Sequence, residues 1–330
     1  MAMSTLRGNA FARACTAGPA AYQARVDGSI AHERPMLALA CRLAAIAGLA
    51  TMSAFIKLAA EHGVHLVEIM FWRQFITLPV LLCWVLATSG IATLGTARPG
   101  MHALRGLYGT VGMALNFGAV ILLPLAEATT LNFTAPIWAT VLAMIMLKQK
   151  VGPWRWGAIL AGFAGIVIIA QPGGGHIPLA GALVALGGAF MIGLISIQIA
   201  DLSRTEKPLV IVFYFGLFSS LLLLPAMPFV MQPHDTTGWL LLLAVGLSGV
   251  VGQLFLTAAL RFGMVASVIV MDYSSLFWAT LYGWLLFEAL PPTSTWFGAP
   301  LVIGAGLVIA WREHRLRRPT ERDVARAEGT

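Results

Sequence analysis

Ten apolar runs follow one another along this chain, at 36–57, 66–88, 103–123, 126–147, 154–171, 179–200, 208–230, 238–260, 264–287 and 295–311, each bounded by charge, proline or glycine. A helix needs about 20 apolar residues to cross a hydrocarbon core of about 30 Å. Lipid offers the backbone no hydrogen-bond partner, so a crossing segment is either a helix or a strand of a closed barrel. Barrel strands are about 9–11 residues long, and these runs are far longer. The expected fold class is therefore an all-α integral membrane protein with ten transmembrane helices. Composition agrees: 58% of the 330 residues are hydrophobic and 11% charged, against roughly 25% charged in soluble domains.

The formal charge of +7 could suggest a polyanionic partner, but its distribution argues for topology and against nucleic acid. One set of alternate loops holds Arg98, Arg105, Lys148, Lys150, Arg155, Arg204, Lys207 and Arg261; the other holds only Lys57. Positive charge collects on the cytoplasmic side, so both termini are expected there, in the cell (inner) membrane, which requires an even number of spans. Residues 1–35 read as a disordered cytoplasmic tail, with an Arg-rich transit peptide as the alternative. Residues 312–330 form a charged cytoplasmic tail. Cys15, Cys41 and Cys83 have no disulfide or metal-ligand spacing, and neither a metal nor a cofactor is expected.

Shifting the chain against itself by about 140 residues superposes its halves, an internal repeat of the kind that marks transporters. Trp138, Ala139 and Thr140 fall on Trp278, Ala279 and Thr280; Gly157, Gly165, Val167 and Ile168 fall on Gly298, Gly306, Val308 and Ile309. In the third span of each half, Gly109, Val111, Gly112 and Ala119 fall on Gly249, Val251, Gly252 and Ala259. The expected units are 36–172 and 173–311. Each contains five spans, an odd number, so the second unit enters the membrane from the opposite side and the repeat is inverted. Such halves can exchange conformations to open a midplane site to either side in turn.

The segment 104–172, with "PLAEAT" at Pro124 to Thr129, Pro136 in the next helix and the small-residue pattern "WGAILAGFAG", resembles the EamA-type transporters of the drug/metabolite transporter superfamily. The resemblance extends over roughly 40–311. It implies a carrier for a small metabolite such as an amino acid, with direction open, or for a cofactor-like solute such as riboflavin or S-adenosylmethionine. The chain departs from the family in two places. Lys148 stands where the fourth span commonly ends in Gly-Glu, a glutamate the second half keeps as Glu288, and Ser274 and Ser275 stand where the ninth span often has proline.

An ionisable group inside a span needs a partner, a wet cavity or a functional reason. Asp272 is read as the sole acid well inside a span, and Arg73 as the cation deepest in one. Upright helices would set them about 8 Å apart in depth. Facing a central cavity, Arg73 would bind a carboxylate or phosphate, and Asp272 an ammonium group or a coupling proton; the plainer alternative is a fixed interhelical ion pair. Arg42 is expected to snorkel to the cytoplasmic interface. Asn116, Asn132, Thr134, Gln253 and Gln198 are further polar candidates, with interhelical hydrogen bonds as the alternative. Pro136 cannot donate to the carbonyl one turn earlier.

Among the aromatic residues Trp72, Trp138, Tyr214, Tyr273 and Trp278, the repeat-related Trp138 and Trp278 are the main candidates to line a pocket. Gly112, Gly162, Gly165, Gly252 and Gly306 read as close-packing contacts. An intramembrane enzyme is the rival of another class. Against it, all seven histidines are expected in tails, loops or span ends, and "HGVH" at His62 lacks the spacing of a zinc protease. The expected partners are a small-molecule substrate, the lipid bilayer and a proton as coupling ion; a homodimer is left open.

Overall fold

Proline and backbone hydrogen bonding decide where the apolar runs stay helical. The computed structural model describes residues 35–88, 90–147, 153–170, 178–202, 205–262 and 270–317. Lys148, Lys150 and Arg204, residues 264–269 of the ninth expected span, the boundary at 172 and 173, residues 1–34 of the first expected tail and 318–330 of the second lie outside the described residues. The first half contains α1 (Pro35–Glu61), α2 (Leu66–Thr88), α3 (Pro99–Leu122), α4 (Leu125–Asn132), α5 (Ala135–Leu147) and α6 (Pro153–Ala170). The second contains α7 (Leu179–Leu202), α8 (Pro208–Leu223), α9 (Met227–Val230), α10 (Thr236–Phe262), α11 (Ser275–Phe287) and α12 (Thr293–Arg317).

Three expected spans are not continuous α-helices. The fourth breaks at Phe133 and Thr134 between α4 and α5, just before Pro136, which has no N–H for the carbonyl of Asn132. The seventh tightens into a 3-10 turn, Leu224–Ala226, around Pro225 before α9. The described part of the ninth begins as a 3-10 turn, Val270–Ser274, where the Ser275 hydroxyl donates to the Asp272 carbonyl at 2.7 Å and competes with α-helical bonding. At the other end, α12 continues through Arg317, six residues beyond the expected limit at Trp311. Five described stretches are by themselves long and apolar enough to cross a membrane: Leu39–Glu61, Leu66–Thr88, Leu179–Ile199, Pro208–Val230 and Thr236–Leu256. The other crossings are interrupted, shorter or, like α3 with His102, Arg105 and Asn116, more polar.

Helix neighbours are reciprocal, as an inverted pair requires. The third span of each half packs on the first span of the other: α10 against α1, and α3 against α7. Likewise α2 against α10 mirrors α8 against α3, and α11 against α1 mirrors α5 against α7. The contacts α2 with α8, α6 with α12 and α4 with α11 map onto themselves. Ten crossings thus form two inverted five-helix repeats.

Small residues allow this approach because apolar helices in lipid associate by close packing. A methyl group added at Gly165 would lie 2.9 Å from the carbonyl oxygen of Gly298, and one at Gly298 would lie 2.8 Å from that of Gly165. Gly48 meets the Gly252 backbone, and Gly193 meets that of Ala139, in the same manner. Phe229, Phe297, Trp154 and Leu160 are exposed on the outer surface, where a bilayer would cover them.

Candidate functional site

Arg73 leaves α2 toward the second half. Its Nη1 donates to the side-chain carbonyl oxygen Oε1 of the neighbouring Gln74 and lies 3.9 Å from the Met113 sulfur on α3, while its Nε is buried without a partner. The residue is surrounded by protein yet keeps part of its surface open. Gln74 in turn donates to the Phe215 carbonyl on α8 at 3.5 Å. Arg105, counted above among the loop cations, is instead inside α3 and only 8% exposed. Its guanidinium lies 4.4 Å from the centroid of the Phe215 ring, and Nε and Nη1 have no acceptor. Gly109, one turn on, provides the room: a side chain there would overlap both Arg105 and Phe215. Its repeat mate Gly249 differs: a methyl group added there would crowd the Met52 sulfur at 2.9 Å and stand in ordinary contact with Arg73 Nε at 3.5 Å.

Asp272 does not face Arg73. It is clasped by Arg42 of α1, with Nε to Oδ1 at 2.7 Å and Nη2 to Oδ2 at 2.6 Å. Arg42 is therefore a fixed interhelical partner, not a cation reaching alone to the interface, because α1 and the start of the ninth span are neighbours. Tyr273 packs edge-on against Phe133 at the α4–α5 break, centroids 4.9 Å apart, and its hydroxyl fills the space left by Gly306.

Other candidates are dispersed. Asn116 donates back to the Gly112 carbonyl at 2.7 Å and lies against Gly188 of α7. Thr134 is fully buried and donates to Leu131 O at 2.7 Å, whereas Asn132 Oδ1 and Gln198 Oε1 are buried without a partner. Gln253 is part-buried on α10 and engaged. Trp138 stands edge-on to Phe163 and Phe190, and Trp278 stacks on Tyr282, whose hydroxyl meets Thr51. Trp72 joins Phe71, Phe75 and Trp239, and Tyr214 stacks with His102. An apolar groove of about 690 Å³ between α6 and α12, lined by Trp154, Ala161, Pro300 and Gly304 among others, holds none of these residues.

Each end of the bundle is sealed by connections from opposite halves. At the face where α1 begins, the α2–α3 connection meets the α7–α8 turn: Arg98 pairs with Asp201 at 2.6 Å, Thr96 donates to Glu206 at 2.6 Å, and His102 Nε2 lies 3.8 Å from Glu206. At the far face the α1–α2 turn meets the segment before α10, with His234 2.9 Å from Glu68 and His62 3.4 Å from Asp235. These are the corresponding connections of the two repeats. Asp235 also accepts the Gly238 N–H at 2.8 Å as the N-cap of α10. That bond, with His62 beside it, holds the Asp235 carboxyl below its usual range.

A position at a loop or span end does not keep a histidine exposed: His102 is fully buried and the His234 side chain nearly so, because the connections fold inward onto one another. Nor is Asp272 alone among acids at depth. Glu68 and Glu127 are both fully buried, the latter in "PLAEAT" with Thr295 Oγ1 3.4 Å away. Lys57, near Glu127, donates to the Val120 and Leu123 carbonyls at the end of α3, at 3.4 and 2.8 Å. Burial at span ends depends on which loop covers them, and periodicity carries no trace of that. Among the described residues no three His, Cys, Asp or Glu side chains cluster as a metal site.

A protein named riboflavin transporter, from Vibrio cholerae, is 31% identical over 256 residues, 76% of this chain and 85% of its own. One named pseudopaline exporter, from Pseudomonas aeruginosa, is 28% identical over 78% of this chain and 90% of its own. A solved crystal structure shares the fold, with a TM-score of 0.55 at 21% identity, covering 83% of this chain and 99% of the other. Residues 36–171 and 179–311 each match the EamA-like transporter family, and with both repeats matched the chain belongs to that family.

Proposed function

We propose that the protein is a secondary transporter that moves a small metabolite across the cytoplasmic membrane by alternating access, holding it between the halves against Arg73. The observation that carries this reading is the pair of equivalent seals at the two ends. Release of the Glu68–His234 and His62–Asp235 contacts would open the far face while the Arg98–Asp201 and Thr96–Glu206 contacts stay closed, and the inverted exchange would open the other. Family membership makes the chain a carrier and not an enzyme. The excess of Lys and Arg in one set of loops supports the reading that the α2–α3 end, with both termini, faces the cytoplasm.

For cargo, riboflavin is the second, narrower reading, favoured by the 31% identical relative of that name. Arg73 would supply donors to an acceptor-rich solute, and an aromatic side chain such as Trp138 or Trp278 a face for stacking. Asp272 is the candidate for proton coupling, with release from Arg42 as the step that would free its carboxyl.

The test uses a variant lacking the three native cysteines, reconstituted into proteoliposomes, with Cys introduced at Thr96 and Glu206. Disulfide formation should stop counterflow of labelled riboflavin or amino acids, and reductant should restore it. Unchanged transport with the cross-link complete would sink alternating access through this end. Accumulation of no solute in a panel of amino acids, nucleosides, riboflavin and S-adenosylmethionine would sink the cargo assignments.

A further inference from the structure

Arg73 and Arg105 come from different spans of the first half, yet both are tied to one second-half residue, Arg105 directly and Arg73 through Gln74. Arg105 lies over the Phe215 ring, while Arg73 is bonded to Gln74, which donates to the Phe215 carbonyl. Along α3 they occupy successive turns: Arg105 Nη1 lies over the Gly109 position, and Arg73 Nη1 lies 3.9 Å from the sulfur of Met113, four residues on. No carboxylate lies within ion-pair distance of either among the described residues. The acids that could have served are committed elsewhere: Glu68 to His234, Glu127 to Thr295, Asp201 to Arg98, Glu206 to Thr96 and Asp272 to Arg42.

Two neighbouring guanidiniums at this depth are costly, because each has lost its water and the two repel. The ring face offsets part of that cost for Arg105, but it accepts none of the buried N–H groups, and Nε of both arginines and Nη1 of Arg105 stay unpaired. The chain has also cleared space for one of them: Gly109 is bare where the Arg105 guanidinium and the Phe215 ring lie, and any side chain there would overlap both. A structural clamp would be expected to have an acceptor on the facing helix. Here Nε of Arg73 and Nε and Nη1 of Arg105 are buried with none.

We propose that Arg73 and Arg105 together form one anion-binding site against Phe215, and that the transported solute carries carboxylate or phosphate oxygens that bridge them. This rests on the reading above that the solute is held between the halves. A guanidinium presents its donors as a fork that matches either oxyanion. A neutral solute, riboflavin included, would satisfy the hydrogen bonds but leave the repulsion in place, so this site favours an anionic metabolite over the riboflavin reading of the cargo. Arg105 enters from the α2–α3 end and Arg73 from deeper in the bundle, so the bridging anion draws α3 and α2 onto α8 and would make binding sensitive to closure of that end.

The test is an equilibrium measurement that needs no transport: thermal unfolding of the full chain in detergent, titrated with succinate, with inorganic phosphate, with succinamide as the uncharged counterpart, and with sodium chloride at matched ionic strength. Succinate or phosphate should raise Tm saturably by several degrees, the stronger of the two identifying the oxyanion class, whereas succinamide and chloride should not. R105M and R73M should each weaken anion affinity about ten- to a hundredfold, and R105K should recover part of it. Without anion, R105M should melt at or above the wild-type temperature, since an uncompensated charge has been removed. The proposal falls if neither anion acts beyond chloride, if R105M keeps the full shift, or if R105M fails to fold or melts well below wild type. Anion binding without any transport would instead remove the carrier reading and leave this site standing, while transport unchanged in R105M would do the reverse.

Discussion

Replacing Asp272 by Asn removes the charge that holds Arg42, and the geometry sets the size of the loss. The contact is bidentate, with both oxygens engaged at 2.6–2.7 Å, and it joins residues 230 positions apart in sequence. The Arg42 side chain is 15% exposed and that of Asp272 39%. Fully exposed pairs couple by about 0.2–1 kcal/mol, and breaking a fully buried pair costs about 3–5 kcal/mol. A forked pair with one well-covered and one partly open member falls between, at about 2 kcal/mol. A double-mutant cycle of wild type, D272N, R42Q and R42Q/D272N, with stability measured by unfolding in mixed micelles, isolates that coupling from the separate effects of each change. Each single variant should lose about 2 kcal/mol, and the second substitution should cost little more. A coupling below about 0.5 kcal/mol would refute the ion pair as a structural tie between α1 and the ninth span. The same four proteins separate structure from proton coupling. If Asp272 carries the proton, R42Q/D272N should retain solute exchange and lose gradient-driven uptake, and undiminished driven uptake would exclude the role.

At the far seal, E68Q should weaken a contact between two nearly inaccessible side chains and destabilise by roughly 1–3 kcal/mol; faster maleimide labelling of a Cys placed at Leu66 should report the opening, and an unchanged rate would count against the seal. G298A adds a methyl 2.8 Å from the Gly165 carbonyl oxygen, which should cost roughly 1–3 kcal/mol by overpacking; a neutral effect on Tm would show that α6 and α12 part easily. Asp235 has a lowered folded pKa, so its contribution is present above the unfolded value and lost as pH falls through the folded one. The Tm deficit of D235A should therefore be full at pH 7 and shrink as pH drops below the ordinary aspartate range; a deficit constant with pH would contradict the capping bond.

The amino-acid sequence by itself determined the membrane class, the ten crossings and the inverted duplication, because bilayer thickness and the need to satisfy the backbone act on every run regardless of its neighbours. Even Gly109, which makes room for Arg105, was visible as the repeat match of Gly249, although its use was not. Only the tertiary structure decided the pairings. Arg73 and Asp272 look like partners when depth is the one coordinate available, but which helix stands beside which selects Arg42 for Asp272 and sets Arg73 against Gln74 and Met113. That neighbour order is hidden because lipid-facing and protein-facing sides are both apolar, so periodicity does not reveal the buried face. For the same reason Arg105 and His102 read as residues of a basic loop and a span end, until the fold drew the α2–α3 connection inward and closed it beneath the opposing half.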